Sequence, residues 1–451
     1  MLHYFCVQAA SDLSGYLSSE FWSRVVLQSS HDEPVVRQAL VVLSSLHLEY
    51  VMTDPHSVKG STSAEDVNKE TLIQYNKALR LLRKYLGGRE RPSIKVALIC
   101  CTLFHCFEST RGNTGAALDH LRNGLMILGE AQTPRVHPSC MAWDSPEDME
   151  KVTQVFSRLD LQATIFDDSR TPSLMLTSAD ERSGTTPCVA TVVFSDLEEA
   201  HVTLIKLQNW LFRLLTTNIK YKFWPQEQLP AFIVEEKHNL EEQYKRWSQT
   251  FEEFMKQQQL QDEPDKWRGN HADQKSIQEG ASALRIHYRI TQMLLLASLP
   301  EDQTIFGSSP NPAAEEIIDL AETFLARTRD RNATAAAAQT PHRNFSSETG
   351  IIAPLFLLAM KCSDVHVCEK AVALLAASHR REGLYDAQMV VGIVERMTRL
   401  KERGQAARLM SRQTATGMPA EDISLEYWGA EVINEATGGV EGIAKTLNIS
   451  A

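Results

Sequence analysis

The stretch Ser93–Leu128, SIKVALICCTLFHCFESTRGNTGAALDHLRNGLMIL, restricts this chain more than any other. Its first half is apolar nearly all round, so a helix there must lie inside the protein rather than on its surface. Gly112-Asn113 supplies a turn, after which Leu118, Leu121, Leu125 and Leu128 recur on one face of a second, amphipathic helix. His105 and Glu108 fall three apart on the buried helix, and Asp119 and His120 fall on the next one. Buried polar groups need hydrogen-bond partners, so neighbouring helices must meet this hairpin with matching groups.

Helical periodicity dominates elsewhere, and no segment shows sustained strand alternation between hairpin turns. Leu72, Tyr75, Leu79, Leu82 and Leu86 form one stripe. Ser145-Pro146-Glu147-Asp148 offers an N-cap serine, a proline at the first helical position and acids in the first turn, which predicts a helix from Pro146 to about Ile165. Asn311-Pro312 repeats the device ahead of a helix to about Thr328. Further helices are predicted at Ile233–Gln258, with Trp247, Phe251 and Phe254 on the buried face, and at Asp273–Leu299, Ile351–Lys361, Val365–Ser378 and Ala387–Arg403. Long polar loops separate them, and the low-complexity run Ala333–Asn344 is expected to be mobile. The fold class is therefore all-α with no substantial sheet. At 451 residues the chain exceeds the roughly 250–300 at which single cores stop growing, so the expected organisation is one helical region over 1–404, as an array or two fused lobes, with a partly mobile extension over 405–451.

A formal net charge of −11 argues against a surface built to neutralise phosphates. The most basic stretch, Arg80–Lys95, reads as a solvated helix face rather than a DNA contact. The N-terminus lacks the charged and apolar regions of a secretory signal, and the longest apolar run, Val96–Phe104, falls short of the roughly 20 residues a membrane span needs. An intracellular protein without a membrane partner is expected. None of the eight cysteines forms a Cys-x2-Cys pair, the local spacing that closed zinc sites use, so neither metal nor cofactor is expected. Acyl-transfer elbows, phosphate loops, dinucleotide fingerprints and zinc-protease motifs do not occur in it either.

Several segments in order carry a family resemblance: SEFWSRVVLQSSHDEPVVRQALVVLSSLH (Ser19–His47), YNKALRLLRKYL (Tyr75–Leu86), ICCTLFHCFESTRGN, FSRLDLQATIFDDSRTP (Phe156–Pro172), LRIHYRITQMLLL (Leu284–Leu296), and IIAPLFLLAMKCSD through HRREGLYD to Asp386. Together they resemble the regulatory domain that follows the binuclear, six-cysteine zinc cluster in fungal transcription factors. The cluster itself is absent from these 451 residues. The resemblance covers roughly the first 400 residues and implies a superhelix of stacked helices. It departs from the family at CSDVHVCEKA (Cys362–Ala371), where more arginine is expected.

Three groups of residues invite chemistry. His105, Glu108 and His120 fit a hydrogen-bonded network between helices better than a metal site, and His47 and Glu49 end an earlier apolar helix nearby in type. Arg380, Arg381 and Glu382, in HRREGLYD between two helices, fit an ion network, with anion capture by the arginines as the alternative. Trp210, Tyr221 and Trp224, in NWLFRLLTTNIKYKFW, are the candidate ligand-binding residues if the helices enclose an apolar gap, and are otherwise core. By resemblance, the expected role is transcriptional regulation in the nucleus without direct specific DNA binding, through proteins of the transcription machinery or a small hydrophobic ligand, on a gene set such as one for secondary metabolism. The alternative is a recruited cytoplasmic enzyme or carrier that uses a helical pocket to bind and convert a small hydrophobic metabolite. A homodimer would rest on Met389, Ile393, Met397 and Leu400, whose spacing equally fits core.

Overall fold

A computed structural model of the chain describes residues 1–17, 19–53, 68–88, 92–132, 145–167, 170–260, 271–335 and 343–399. The chain opens with α1 (Leu2–Tyr4), a π-helical turn at Phe5–Ala9, α2 (Ala10–Ser14), a second π-helical turn at Phe21–Val25 and α3 (Val26–Asp32). Next come α4 (Pro34–Met52), α5 (Lys69–Gly88), α6 (Ile94–Thr110), α7 (Thr114–Gln132) and α8 (Pro146–Phe166). The second half holds α9 (Ala179–Arg182), α10 (Leu197–Thr217), α11 (Ala231–Leu260), α12 (His271–Leu296), α13 (Thr304–Gly307), α14 (Pro312–Ala335), α15 (Ile352–Lys361), α16 (Val365–Ser378) and α17 over 387–399. The all-α expectation holds, with one small sheet of β1 (Asn344–Ser346), β2 (Arg380–Glu382) and β3 (Tyr385–Asp386).

Local chemistry explains the helix starts. Ser93 Oγ accepts from the Val96 amide at 3.1 Å to begin α6. Asn311 Oδ1 accepts from the Ala314 amide at 3.2 Å ahead of α14, as its sequence predicts. Ser145 occupies the N-cap of α8 but makes no side-chain cap hydrogen bond; the acids of that first turn are drawn instead to Arg24, which pairs with Glu147 at 3.0 Å and Asp148 at 2.9 Å. The elbow after α6 needs Gly112, whose φ of 77° disfavours a side chain, and Asn113 Oδ1 caps α7 through the Ala116 amide at 3.3 Å.

Two apolar cores result. The first, formed by the N-terminal half, gathers Trp22, Phe104, Phe107 and Phe156 around α6, where every residue but Lys95 is buried. Helix α4 is long and apolar enough to cross a membrane by composition alone, but it packs against α3, α5 and α6 and is mostly buried. The second core gathers Trp210, Trp247, Phe251, Leu284, Ile317 and Leu355 from α10, α11, α12, α14 and α15. Ile393 and Met397 of α17 form a small satellite with Phe356, Met360 and Met389.

The sheet stitches the cores together. Phe345 of β1 and Leu384 of the β2–β3 turn belong to the first core, while Tyr385, Ile351 and Ile352 belong to the second. β1 runs parallel to β2, and β2 antiparallel to β3, with Arg381 opposite both Phe345 and Asp386. Sequence patterning misses these strands because two or three residues are too few to display a period of two. Glu382, fully buried, accepts from three successive amides that open α15: Gly350 at 2.9 Å, Ile351 at 3.2 Å and Ile352 at 2.9 Å. Arg380 Nε lies 3.2 Å from the same carboxylate. Arg381 reaches the first lobe, donating to the Ser109 carbonyl at 2.8 Å, and pairs with Asp386 at 3.0 Å. HRREGLYD is thus an ion network, as its sequence favours, but one built on a strand pair rather than a helix–helix corner.

Removing Glu382 strands three amides and the partly buried Arg380. Glu382→Ala is expected to cost about 3–5 kcal/mol, read from urea denaturation of the purified chain, whereas Arg122→Ala, which breaks an exposed pair with Asp119, should cost under ~0.5 kcal/mol.

Candidate functional site

The helix hairpin α6–α7 meets α5 through a tyrosine. The Tyr75 ring stacks on Phe107 at 4.1 Å between centroids, and its hydroxyl lies 2.9 Å from His120 Nε2 and hydrogen-bonds Glu108 as well. Glu108 also receives Arg111 at 3.0 Å. His105 sits on a separate branch: its Nδ1–H donates to the Ala117 carbonyl at 2.9 Å, which leaves the buried Nε2 as an acceptor with no partner. The structure therefore joins Glu108 and His120 through Tyr75, a residue that sequence reasoning places only on an apolar stripe. Its hydroxyl is the missing link. His47 lies elsewhere, against the N-terminal segment, with Nδ1 2.9 Å from the Tyr4 hydroxyl, and Glu49 accepts from Thr71 at 2.5 Å.

A second polar centre lies between the two cores, built from residues that no sequence motif marks. Arg158 of α8 pairs with Glu348 at 2.9 Å, both nearly buried. The Tyr16 hydroxyl lies 3.4 Å from His201 Nε2, the Tyr16 ring stacks on His287 at 6.1 Å, and His287 Nε2–H donates to the Thr349 carbonyl at 3.0 Å. Gln162 donates to the Ser347 carbonyl at 3.3 Å and the Thr349 hydroxyl at 3.0 Å, while its oxygen accepts from the Leu384 amide at 3.4 Å. Gly383 lets Gln162 approach: a Cβ there would fall 2.1 Å from the amide oxygen. Tyr16, Arg158, His201, His287 and Glu348 enclose a cavity of about 20 Å³, room for one water and far below the roughly 300 Å³ at which ligand pockets begin. This centre is structural. The cavity residues come from five distant segments, a convergence no local motif can announce.

Burial sets the protonation of these imidazoles. It pushes His105 and His287 down to about 4, holds His201 well below the ordinary imidazole range, and lowers His47 and His120. Burial also raises Glu348, against the pull of Arg158. Among the described residues no group of three or more His, Cys, Asp or Glu side chains is arranged to hold a metal.

The three candidate ligand residues separate. Trp210 is fully enclosed in the second core, its indole N–H donating to Glu236 at 2.8 Å. Tyr221 and Trp224 contact each other edge to face at 4.9 Å in the turn after α10, where Trp224 is 44% exposed. Neither the junction cavity nor a groove of about 310 Å³ between α11 and α12, floored by Tyr244 and Tyr288, counts any of the three in its lining. What the turn does present is an apolar surface. Ile219, Phe223, Trp224, Phe232 and Val234 are all exposed within sixteen residues, and the ammonium groups of Lys220 and Lys222 each lie 4.8 Å from an aromatic ring, Tyr221 and Phe223 respectively. Clustered exposed apolar side chains of this kind mark interaction surfaces more often than chance.

Comparison with known proteins places this geometry in context. The family described as fungal specific transcription factor domain matches residues 1–395. The aspercryptin biosynthesis cluster-specific transcription regulator of Emericella nidulans is 23% identical over 472 residues, covering 88% of this chain and 72% of that protein. A transcription regulator of Purpureocillium lilacinum is 30% identical over 128 residues, covering 28% of this chain and 30% of its own. No solved structure matches.

Two expectations follow from the geometry. A histidine held neutral by burial binds its proton more weakly folded than unfolded, so its contribution to stability is complete above the unfolded value of 6.5 and is lost as pH falls toward the folded value. At pH 5, His105 and His287 should each cost roughly 2 kcal/mol relative to pH 7.5, and thermal melts across this range should show stability falling steadily toward acid. Replacing Trp210 by Ala should cost ~3–5 kcal/mol, whereas Trp224→Ala should leave the melting temperature within about 2 °C of wild type; equal losses at both positions would contradict the placement.

Proposed function

Because the chain belongs to the fungal specific transcription factor domain family, we propose that it is a nuclear regulator of a biosynthetic gene set and acts through protein contacts made on its helical surface. The family match over residues 1–395 carries this reading, and the relative of widest coverage is itself named a cluster-specific regulator. These 451 residues contain no Cys-x2-Cys pair and carry a net charge of −11, which suits a module that works on proteins rather than on phosphate backbones. The contact surface is the turn after α10. Its apolar side chains can anchor a partner segment, and Lys220 and Lys222 favour one that carries carboxylates around its apolar anchors.

In the fungus that encodes the chain, deleting its gene should lower transcripts of one biosynthetic gene set at least tenfold. A Phe223→Ala, Trp224→Ala double variant, present at wild-type abundance, should reproduce most of that loss. Unchanged transcripts in the deletion strain would overturn the regulatory role, and a fully active double variant would overturn the assignment of the surface. Sequence-specific mobility shifts of duplex DNA by the purified chain would overturn the protein-contact mechanism.

A further inference from the structure

Cysteines 362 and 368 meet at the corner between α15 and α16. Cys362 ends α15. Asp364 caps α16, accepting from the His366 amide at 3.0 Å, and Cys368 lies in the first turn after it, so its side chain turns back over the end of α15. There its thiol lies 3.1 Å from the Cys362 carbonyl and hydrogen-bonds the Cys362 sulfur. The Asn311 side-chain amide points at that sulfur from 3.9 Å. Neither cysteine is in a disulfide. We propose that Cys362 and Cys368 form a peroxide-reactive dithiol, a modification site that closes to an intrachain disulfide.

The environment supports the assignment of roles. Hydrogen bonds from the Cys368 thiol and from the backbone amides of Asp364 and Ser363 lower Cys362 to about 7, with burial and the Asp364 charge opposing. Burial does the reverse to the core cysteines, raising Cys100 and Cys106 and pushing Cys101 up to about 12 and Cys188 to about 11. Thiolate, not thiol, is the nucleophile. The corner lies at the edge of the second core: Ser363, Val365 and His366 are exposed and Cys368 is half-buried, while Cys362 itself is buried at 8% exposure. Cys362 thiolate attacks one oxygen of hydrogen peroxide, the O–O bond breaks, and the departing hydroxide takes up a proton to become water. The Cys362 sulfenic acid then receives the Cys368 sulfur; the S–OH bond breaks, and hydroxide leaves with the Cys368 proton as a second water. Two thiols and one peroxide give one disulfide and two waters. The product ties the end of α15 covalently to the first turn of α16, stiffening the helix whose other end Glu382 holds.

The test is timed peroxide treatment of the full chain, followed by alkylation and peptide mass spectrometry, with the exposed Cys6 as internal reference. The expected result is a Cys362–Cys368 crosslinked peptide, lighter by two hydrogens and reversed by dithiothreitol, forming at least tenfold faster than Cys6 is consumed. Cys368→Ser should halt the reaction at a dimedone-reactive sulfenic acid on Cys362, and Cys362→Ser should abolish dimedone labelling at the corner. If Cys6 reacts as fast, or if both corner thiols are still alkylated after Cys6 is oxidised, the proposal is overturned. The transcript measurements do not enter this test, so either reading can fail alone.

Discussion

The carboxylate of Glu382 is the interaction on which the rest of this structure leans. It sits at zero exposure between two apolar cores, accepts three backbone amides and faces an arginine. The first amides of a helix have no partner within the helix, and its N-terminus carries a partial positive charge. A carboxylate answers both needs. In doing so it fixes where α15 begins, while the next residue back, Arg381, grips the end of α6 in the other lobe. Two residues of one short strand thus tie the start of α15 to the end of α6.

The same seam is reinforced by uncharged groups. Gln162 bridges the strap before α15 to the turn after β2, and Ser347 returns to the Leu13 carbonyl in α2 at 2.7 Å. Neutral imidazoles complete the junction, each held by a carbonyl or hydroxyl rather than by a charge. The cavity at this junction has room for water alone. The aromatic turn after α10 stands out because its rings are exposed while Trp210, eleven residues before Tyr221 in the same sequence segment, is core.

Much of this was legible in the sequence where the signal is local. Asn311-Pro312 announces α14, Gly112-Asn113 announces the elbow, and the leucine stripe of α7 gives its buried face. The charges of HRREGLYD suggest ion pairing, but neither the strands beneath it nor the partners of Arg381, which are Asp386 and the Ser109 carbonyl rather than Glu382, can be read from the sequence. What could not be read were contacts whose partners lie hundreds of residues apart: Arg158 with Glu348, Tyr16 with His201, Gln162 with Leu384. Each of those residues is ordinary in its own window. Tyr75 illustrates the difficulty, since a tyrosine at a helical apolar position looks like core, and only the arrival of Glu108 and His120 at its hydroxyl reveals a hub. The aromatic segment was ambiguous for a different reason. Helical spacing cannot show where a helix ends, and α10 stops at Thr217, before Tyr221 and Trp224.

The central claim is that the strand clip makes two cores into one cooperative body. Native-state hydrogen exchange of the full chain tests it most directly, by comparing amides of α6 in the first lobe with those of α15 in the second. The account predicts that the slowest amides of both helices exchange through a common opening, with free energies within about 1 kcal/mol of each other and the same dependence on denaturant. If the α15 amides exchange through a separate opening several kcal/mol below that of α6, the lobes unfold independently and the clip does not join them.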